Sequence, residues 1–270
     1  MLDNIKFPFG DEEKLRELER GFNSISGGVF QGTVAAGDGV VFRMQRPHRE
    51  AVNGDVASLF TRKGYYAYGM QGFVDSRCKF LSISMKTCSS THDSTAYNVS
   101  DVSNAIRDGR LASWAHIVLD EAYTNTLQEL SPYRGRSLDV WKDSFNYHLS
   151  LHRQCVERAF GILVQRWGVF WRPLRVAYRR IPLLIRVACK LHNFCIDKMG
   201  MPTYVEIARG DARMGDIASP LFTDGTNGNF RGRRSDLEET DVRRHLTAKL
   251  RALGIMRPAH SRHSSRVARI

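Results

Sequence analysis

The order of local patterns along the chain predicts an α/β protein, built as a mixed sheet with helices on both of its faces. Three observations lead there. Short β-branched or aromatic runs come first, at residues 33–44, 64–75 and 79–86. A further apolar run at 116–120 follows only after a helical stretch. Two long segments with helical period then close the pattern, at 146–167 and 182–198. Strands in succession, then strand–helix alternation, then a helix laid against the sheet make a layered α/β architecture.

Each element has a local reason. Residues 11–22 (DEEKLRELERGF) form an amphipathic helix whose first-turn acids complement the helix dipole, and Gly27 and Gly28 lie beyond its end. Residues 33–44 are small and β-branched, which suits a buried strand, interrupted at Gly37 and Gly39. A polar loop is expected over 46–62. The runs 64–75 and 79–86 read as an antiparallel pair across a turn at 75–77. Residues 93–108 are expected to be helical. His116-Ile-Val-Leu-Asp120 is a short strand ending in an acid, followed by mixed loop and helix to Tyr133.

The helix at 146–167 carries Val156, Phe160, Leu163 and Trp167 as one buried stripe, and Gly168 and Pro173 end it. The next helix starts at Pro182, which suits a first helical position. Beyond Gly200 the composition changes. Residues 210–234, rich in Gly, Asp, Asn and Arg, read as a linker. Residues 235–253 read as a helix with Ser235 and Glu238 as a capping box, followed by a basic, disordered tail. The expected organisation is a lead-in at 1–29, a core at 30–200, a linker at 201–234 and a C-terminal helix with tail at 235–270.

A chain of 270 residues with 42% hydrophobic content buries one sizeable core. Its net charge of +12 and pI near 9.8 imply an anionic partner, with nucleic acid the leading candidate. The five cysteines are odd in number and form no CxxC pair, which points to reduced thiols and against a secreted disulfide scaffold. Cys189, His192 and Cys195 share one helix at steps of three, where packing is the better account than a zinc half-site. No secretory leader is visible and no apolar run nears the roughly 20 residues that span a bilayer, so a soluble intracellular chain is expected, with no membrane partner.

Chemistry concentrates around three acids. Glu157 is the only carboxylate in residues 151–190, among nine Arg or Lys, and it shares a helix face with Arg153 and Gly161. Such an acid either pairs with a neighbouring arginine or holds a divalent cation. Asp38 sits in an apolar run between two glycines, and Asp120 ends the run Ile-Val-Leu. Charges in such places are costly unless paired, hydrogen-bonded or metal-bound. If the two strands are neighbours and the helix packs across them, Asp38, Asp120 and Glu157 can meet. Converging carboxylates repel one another and invite cations. Hard oxygen donors favour magnesium or manganese. Two such ions about 3.5–4 Å apart serve hydrolysis or transfer at a phosphodiester.

Arg153, Arg158 and Arg166 are the candidate phosphate contacts. Asp93 is a reserve candidate, weighed against an N-cap role on the following helix. His92, His148 and His152 as general bases are weighed against surface or capping roles. Trp167, Trp171 and Tyr178 are candidates for stacking on bases, with a core role favoured for Trp167.

Several blocks carry a resemblance. VAAGDGVVF, the strand pair after TRKGYYAYGMQGFVD, SSTHDS, VLDEAY with LSPY, FNYHLSLHRQCVERAFGILVQRW and CKLHNFC follow one another in the order found in PIF/Harbinger-type DDE transposases. The likeness extends over about residues 30–198. It implies an RNase H-like core and a divalent-metal DDE triad, with the two aspartates falling on Asp38 and Asp120 and the glutamate on Glu157. These are 82 and 37 residues apart. It further implies a nuclear nuclease that excises and inserts DNA between terminal inverted repeats, a Myb-like DNA-binding partner protein, and a homo-oligomer. Leu119 and Glu121 depart from the small residues the family usually places around its second Asp, and Glu121 becomes a competing ligand. The helical DNA-binding region that usually precedes the core is expected to be lacking. Besides the nuclease, two functions fit: an inert, element-derived DNA- or partner-binding protein, and a nuclease acting on RNA or hybrid duplexes.

Overall fold

Eleven residues, Thr33–Arg43, form the central strand β1 in a computed structural model that describes residues 5–135, 137–201 and 240–259. The interruption expected at Gly37 and Gly39 does not occur. Both glycines lie within the extended strand because neighbouring side chains close over them. A Cβ at 37 would stand 2.8 Å from the Phe73 ring, and one at 39 would stand 2.5 Å from the Asp93 carboxylate.

On one side β1 pairs antiparallel with β2 (Ala67–Val74), and β2 pairs antiparallel with β3 (Phe80–Ser84). The tight turn between them is held by the Asp75 carboxylate, which accepts from the Arg77 and Lys79 amides at 2.9 and 2.8 Å. On its other side β1 runs parallel to β4 (His116–Val118), and β4 runs parallel to β5 (Glu129–Leu130). The order is β3-β2-β1-β4-β5. β5 lies where mixed loop and helix were expected. A two-residue edge strand is too short to leave a period in the sequence.

Alternation sorts the strands' side chains onto two faces. Ala36, Val40 and Phe42 of β1, with Met70 and Val74 of β2 and Val118 of β4, share a core with α4 (Val140–Arg166), α5 (Ile181–Met199) and α6 (Asp241–Ala252). Ala35, Phe73, Ile117 and Leu119 pack into a second core with Leu15 and Leu18 of α1 (Glu12–Ile25) and with α2 (Asp93–Asn98) and α3 (Asp101–Arg107). This is the α/β, RNase H-like mixed sheet that the sequence predicts.

Three helices differ from expectation. α4 begins six residues early because the Asp139 carboxylate caps it, accepting from the amides of Trp141 and Lys142. The single helix expected over 93–108 is two, since Ser100 leaves helical geometry and caps α3. α6 is capped by Thr240 and starts at Asp241. Ser235 and Glu238 lie outside the described residues, as do most of the expected linker and tail. Leu246 and Leu250 of α6 are buried in the α4 core. Among the described residues no helix is long and apolar enough to cross a membrane, and all five cysteines are free.

Candidate active site

Strand register brings the two aspartates level. Ala36 pairs with Val118 in the parallel β1–β4 ladder, and Asp38 and Asp120 each lie two residues further on. α4 packs across this part of the sheet on the face shared by Ala36 and Val118. Arg153 and Glu157 stand one helical turn apart on it, so both side chains lie on one face.

One guanidinium meets all three acids. Arg153 Nη1 lies 3.1 Å from Asp120 Oδ1. Its Nη2 lies 3.3 Å from Asp38 Oδ2 and 3.4 Å from Glu157 Oε1. The Arg153 side chain is 15% exposed and the two aspartates 22% and 23%, whereas Glu157 is 52% exposed. The pairs to the aspartates therefore carry most of the attraction, and solvent screens the one to Glu157. Burial works against the Arg153 charge, but Asp120, Asp38 and Glu157 outweigh it and raise its proton affinity further.

Asp38 is the most perturbed acid. Burial pushes its carboxyl up to about 7, against the opposing pull of Arg153, and the neighbouring Asp120 charge pushes the same way as burial. Its Oδ1 accepts the Gly39 amide at 2.8 Å, which fixes the carboxylate's orientation.

The donor set suits a hard divalent cation: carboxylate oxygens from two strands and a helix, gathered around a positive centre. Arg153 is the stand-in for that cation. With Arg153 among them, no three acidic, histidine or cysteine groups of the described residues are placed to share an ion. A divalent cation would have to displace the Arg153 guanidinium to reach these oxygens.

On the far side of β1 a polar relay approaches the same point. The Tyr123 hydroxyl donates to Gln71 Oε1 at 3.0 Å, and Gln71 Nε2 donates to Asp93 Oδ1 at 3.5 Å. Burial raises the Asp93 carboxyl, with Asp120 adding to it, and burial likewise raises Tyr123, which feels Asp38, Asp93 and Asp120. Asp93 is the first residue of α2, and its cap position is His92. The capping role weighed for Asp93 is therefore not the one it has in the fold.

The remaining candidates lie elsewhere. Arg158 is exposed on another face of α4, its guanidinium against the Gln154 carbonyl and Cys155 sulfur. Arg166 is thirteen residues from Arg153, about 20 Å along the helix, with Nη1 buried and lacking a hydrogen-bond partner. Glu121 is exposed, and its backbone carbonyl accepts from Arg134. His92 is exposed beside Arg62. His148 and His152 are buried, and His152 faces Thr33 rather than the acids. Trp167 is half-buried against the main core, the Trp171 indole donates to the Val164 carbonyl, and Tyr178 packs on Tyr68. His192 is buried and faces the Cys78 carbonyl, within helix packing rather than a metal site. Sequence reasoning did not find the hub role of Arg153 or the Gln71–Tyr123 relay. The one available signal was the four-residue spacing of Arg153 and Glu157.

Comparison with known proteins adds two findings. Residues 37–193 match the family described as DDE superfamily endonuclease, a span containing all three acids. A stretch of 86 residues is 34% identical to "Protein ALP1-like" of Arabidopsis thaliana, covering 30% of this chain and 20% of that protein, so the match spans about a fifth of the relative's length. No solved structure matches the chain.

Proposed function

The chain belongs to the DDE superfamily endonucleases, the family to which its PIF/Harbinger-like blocks point, and we propose that it cuts DNA phosphodiester bonds with magnesium or manganese and joins strands. The observation that carries this is the meeting of Asp38, Asp120 and Glu157 on one guanidinium, from three elements distant along the chain. Asp38 and Asp120, level on adjacent strands, would hold divalent cations together with Glu157 from the helix. Divalent cations held there would activate a water or 3′-hydroxyl and stabilise the leaving oxygen.

Arg153 has two positions in this scheme. It neutralises the acids as it stands, and if a cation took its place it would be free to hold a DNA phosphate. Arg158 lies on the same helix and is exposed to solvent. Arg172, Arg175, Arg179 and Arg180 are exposed on the segment joining α4 to α5, which is tied to the end of β1 through Leu174 and Arg43. Five residues of extended chain separate Arg43 from Asp38, about 16 Å, so this strap supports the duplex away from the cut. A nuclear location, a Myb-like DNA-recognising partner and a homo-oligomeric state complete the proposal.

Asp38→Asn or Glu157→Gln should abolish magnesium-dependent DNA nicking and leave DNA affinity within about twofold. Cleavage at the unaltered rate in either variant would refute the assignment.

A second function, a DNA- or partner-binding protein without catalysis, draws support from the same three ion pairs, because a built-in cation satisfies the acids without any metal. Calorimetric titration with manganese separates the two. Absence of binding at millimolar concentration favours the inert protein.

A further inference from the structure

Helix α5 turns a row of large apolar side chains to solvent. Leu183 is 63% exposed and Phe194 45%, and Val187 between them is exposed as well. With Met199 they make four of the eleven exposed large hydrophobics among the described residues, so this surface is concentrated on one helix rather than scattered. The other side of α5, with Ile185, Cys189 and Ile196, is buried in the main core beside β3 and α4.

The outward row reads alike from either end. Arg180, Leu183, Val187, Lys190, Phe194 and Asp197 follow at steps of three and four, the spacing of a seam along one helix face. The midpoint of this series is level with Ala188 and Cys189. Leu183 and Phe194 stand equally far from it, as do Val187 and Lys190, and Arg180 and Asp197. A copy of the helix laid antiparallel on the first therefore sets apolar against apolar and, at both ends, arginine against aspartate. Arg180 and Asp197 are both exposed, and Asp197 keeps open surface although Lys79 of its own chain lies 2.8 Å away. Lys190 can lay its alkyl stem on the Val187 opposite. DNA suits this row poorly, because aliphatic side chains and an aspartate would face its phosphates.

We propose that two copies of this chain pair through α5, antiparallel about a two-fold axis level with Ala188 and Cys189. Leu183 then packs on Phe194 of the second copy, and Arg180 meets its Asp197. Such a contact is isologous and closes on itself, each pairing occurring twice. The inference rests on the homo-oligomeric state proposed above and deepens it by naming the surface that two copies share.

The test is sedimentation equilibrium of the full chain without DNA, with melting temperature and nicking measured on the same samples. Leu183→Glu should weaken the dimer by about tenfold or more, since a charge then faces Phe194 of the second copy. Arg180→Glu and Asp197→Arg should each weaken it about threefold by setting like charges opposite, and the double variant should recover it. Asp197→Arg loses the Lys79 pair in the single and the double variant alike, so recovery reads the contact between copies and not the fold. A dimer that Leu183→Glu leaves intact overturns this surface and keeps the oligomeric state. Single swaps that weaken the dimer without recovery in the double variant overturn the antiparallel register. An unaltered chain that is monomeric up to about 0.1 mM overturns pairing and oligomeric state together; magnesium-dependent nicking by that monomer would leave the nuclease standing.

Discussion

Arg153 and Asp120 stand 3.1 Å apart across the junction of helix α4 with the tip of β4, and this contact neutralises the acid that the register of β4 places beside Asp38. The same guanidinium touches Asp38 and Glu157, so its removal has several consequences at once.

Arg153→Ala should lower stability in chelator by on the order of 3 kcal/mol, the low end of the cost of stranding buried carboxylates, since these are about a fifth exposed. Added manganese should restore more of the melting temperature than it adds to the unaltered protein, because the ion no longer competes with a resident cation. Equal manganese-induced shifts in the two proteins would contradict this competition. DNA nicking should fall at the same time if Arg153 also grips the phosphate.

The strap between α4 and α5 should govern the electrostatic share of DNA binding. Replacing Arg175 and Arg179 with alanine is expected to weaken binding to all sequences alike and to flatten the dependence of log affinity on log salt by about 2. An unchanged slope would move the DNA backbone to another surface.

Buried histidines predict loss of stability in acid. Burial pushes His116 and His152 down to about 3 and His192 to about 4. The fold refuses protons that the unfolded chain accepts near 6.5. The stability these groups contribute is therefore complete above pH 6.5 and is lost as pH falls toward 3, by about 1.4 kcal/mol per group and pH unit. Asp38, held up to about 7, acts in the opposite direction, since its folded form keeps a proton that the unfolded chain releases. Urea melts at pH 7.5, 6.5 and 5.5 should show decreasing stability. His116→Asn should flatten the trend by one group's share; an identical slope in that variant would reject a neutral buried His116.

The C-terminal helix should prove integral to the core. Leu250 is fully buried against α4, so Leu250→Ala is expected to cost about 2–4 kcal/mol in chemical denaturation. A cost below 1 kcal/mol would mean that α6 docks only loosely.

Legibility from the sequence followed the range of the forces involved. The sheet, its antiparallel pair and the long helix were readable because periodicity is a local record of which side faces the core. Asp38, Asp120 and Glu157 could be named from context, as charges set in apolar runs or isolated among bases. Their level placement depends on a strand register that couples residues more than eighty positions apart, which no local pattern encodes. Arg153 was readable as a basic residue beside Glu157, but its choice of carboxylate over phosphate depends on what the sheet brings beneath the helix. Asp93 looked like a cap because helix starts favour aspartate, while its actual neighbours, Gln71 and Gly39, come from other strands. β5 has two residues and leaves no period at all.

The parallel pairing of β1 with β4 also sets a timetable. β2 and β3 are joined by a turn of 5 residues (75–79) and can pair early, and β1 joins β2 across 23 (44–66), whereas β4 lies 72 residues (44–115) beyond the β1 it must pair with. Until it does, Asp38 has no level companion and α4 has no complete floor to settle on. The three acids therefore gather only when folding is nearly done, and any chemistry that needs them together has to wait for the last strand.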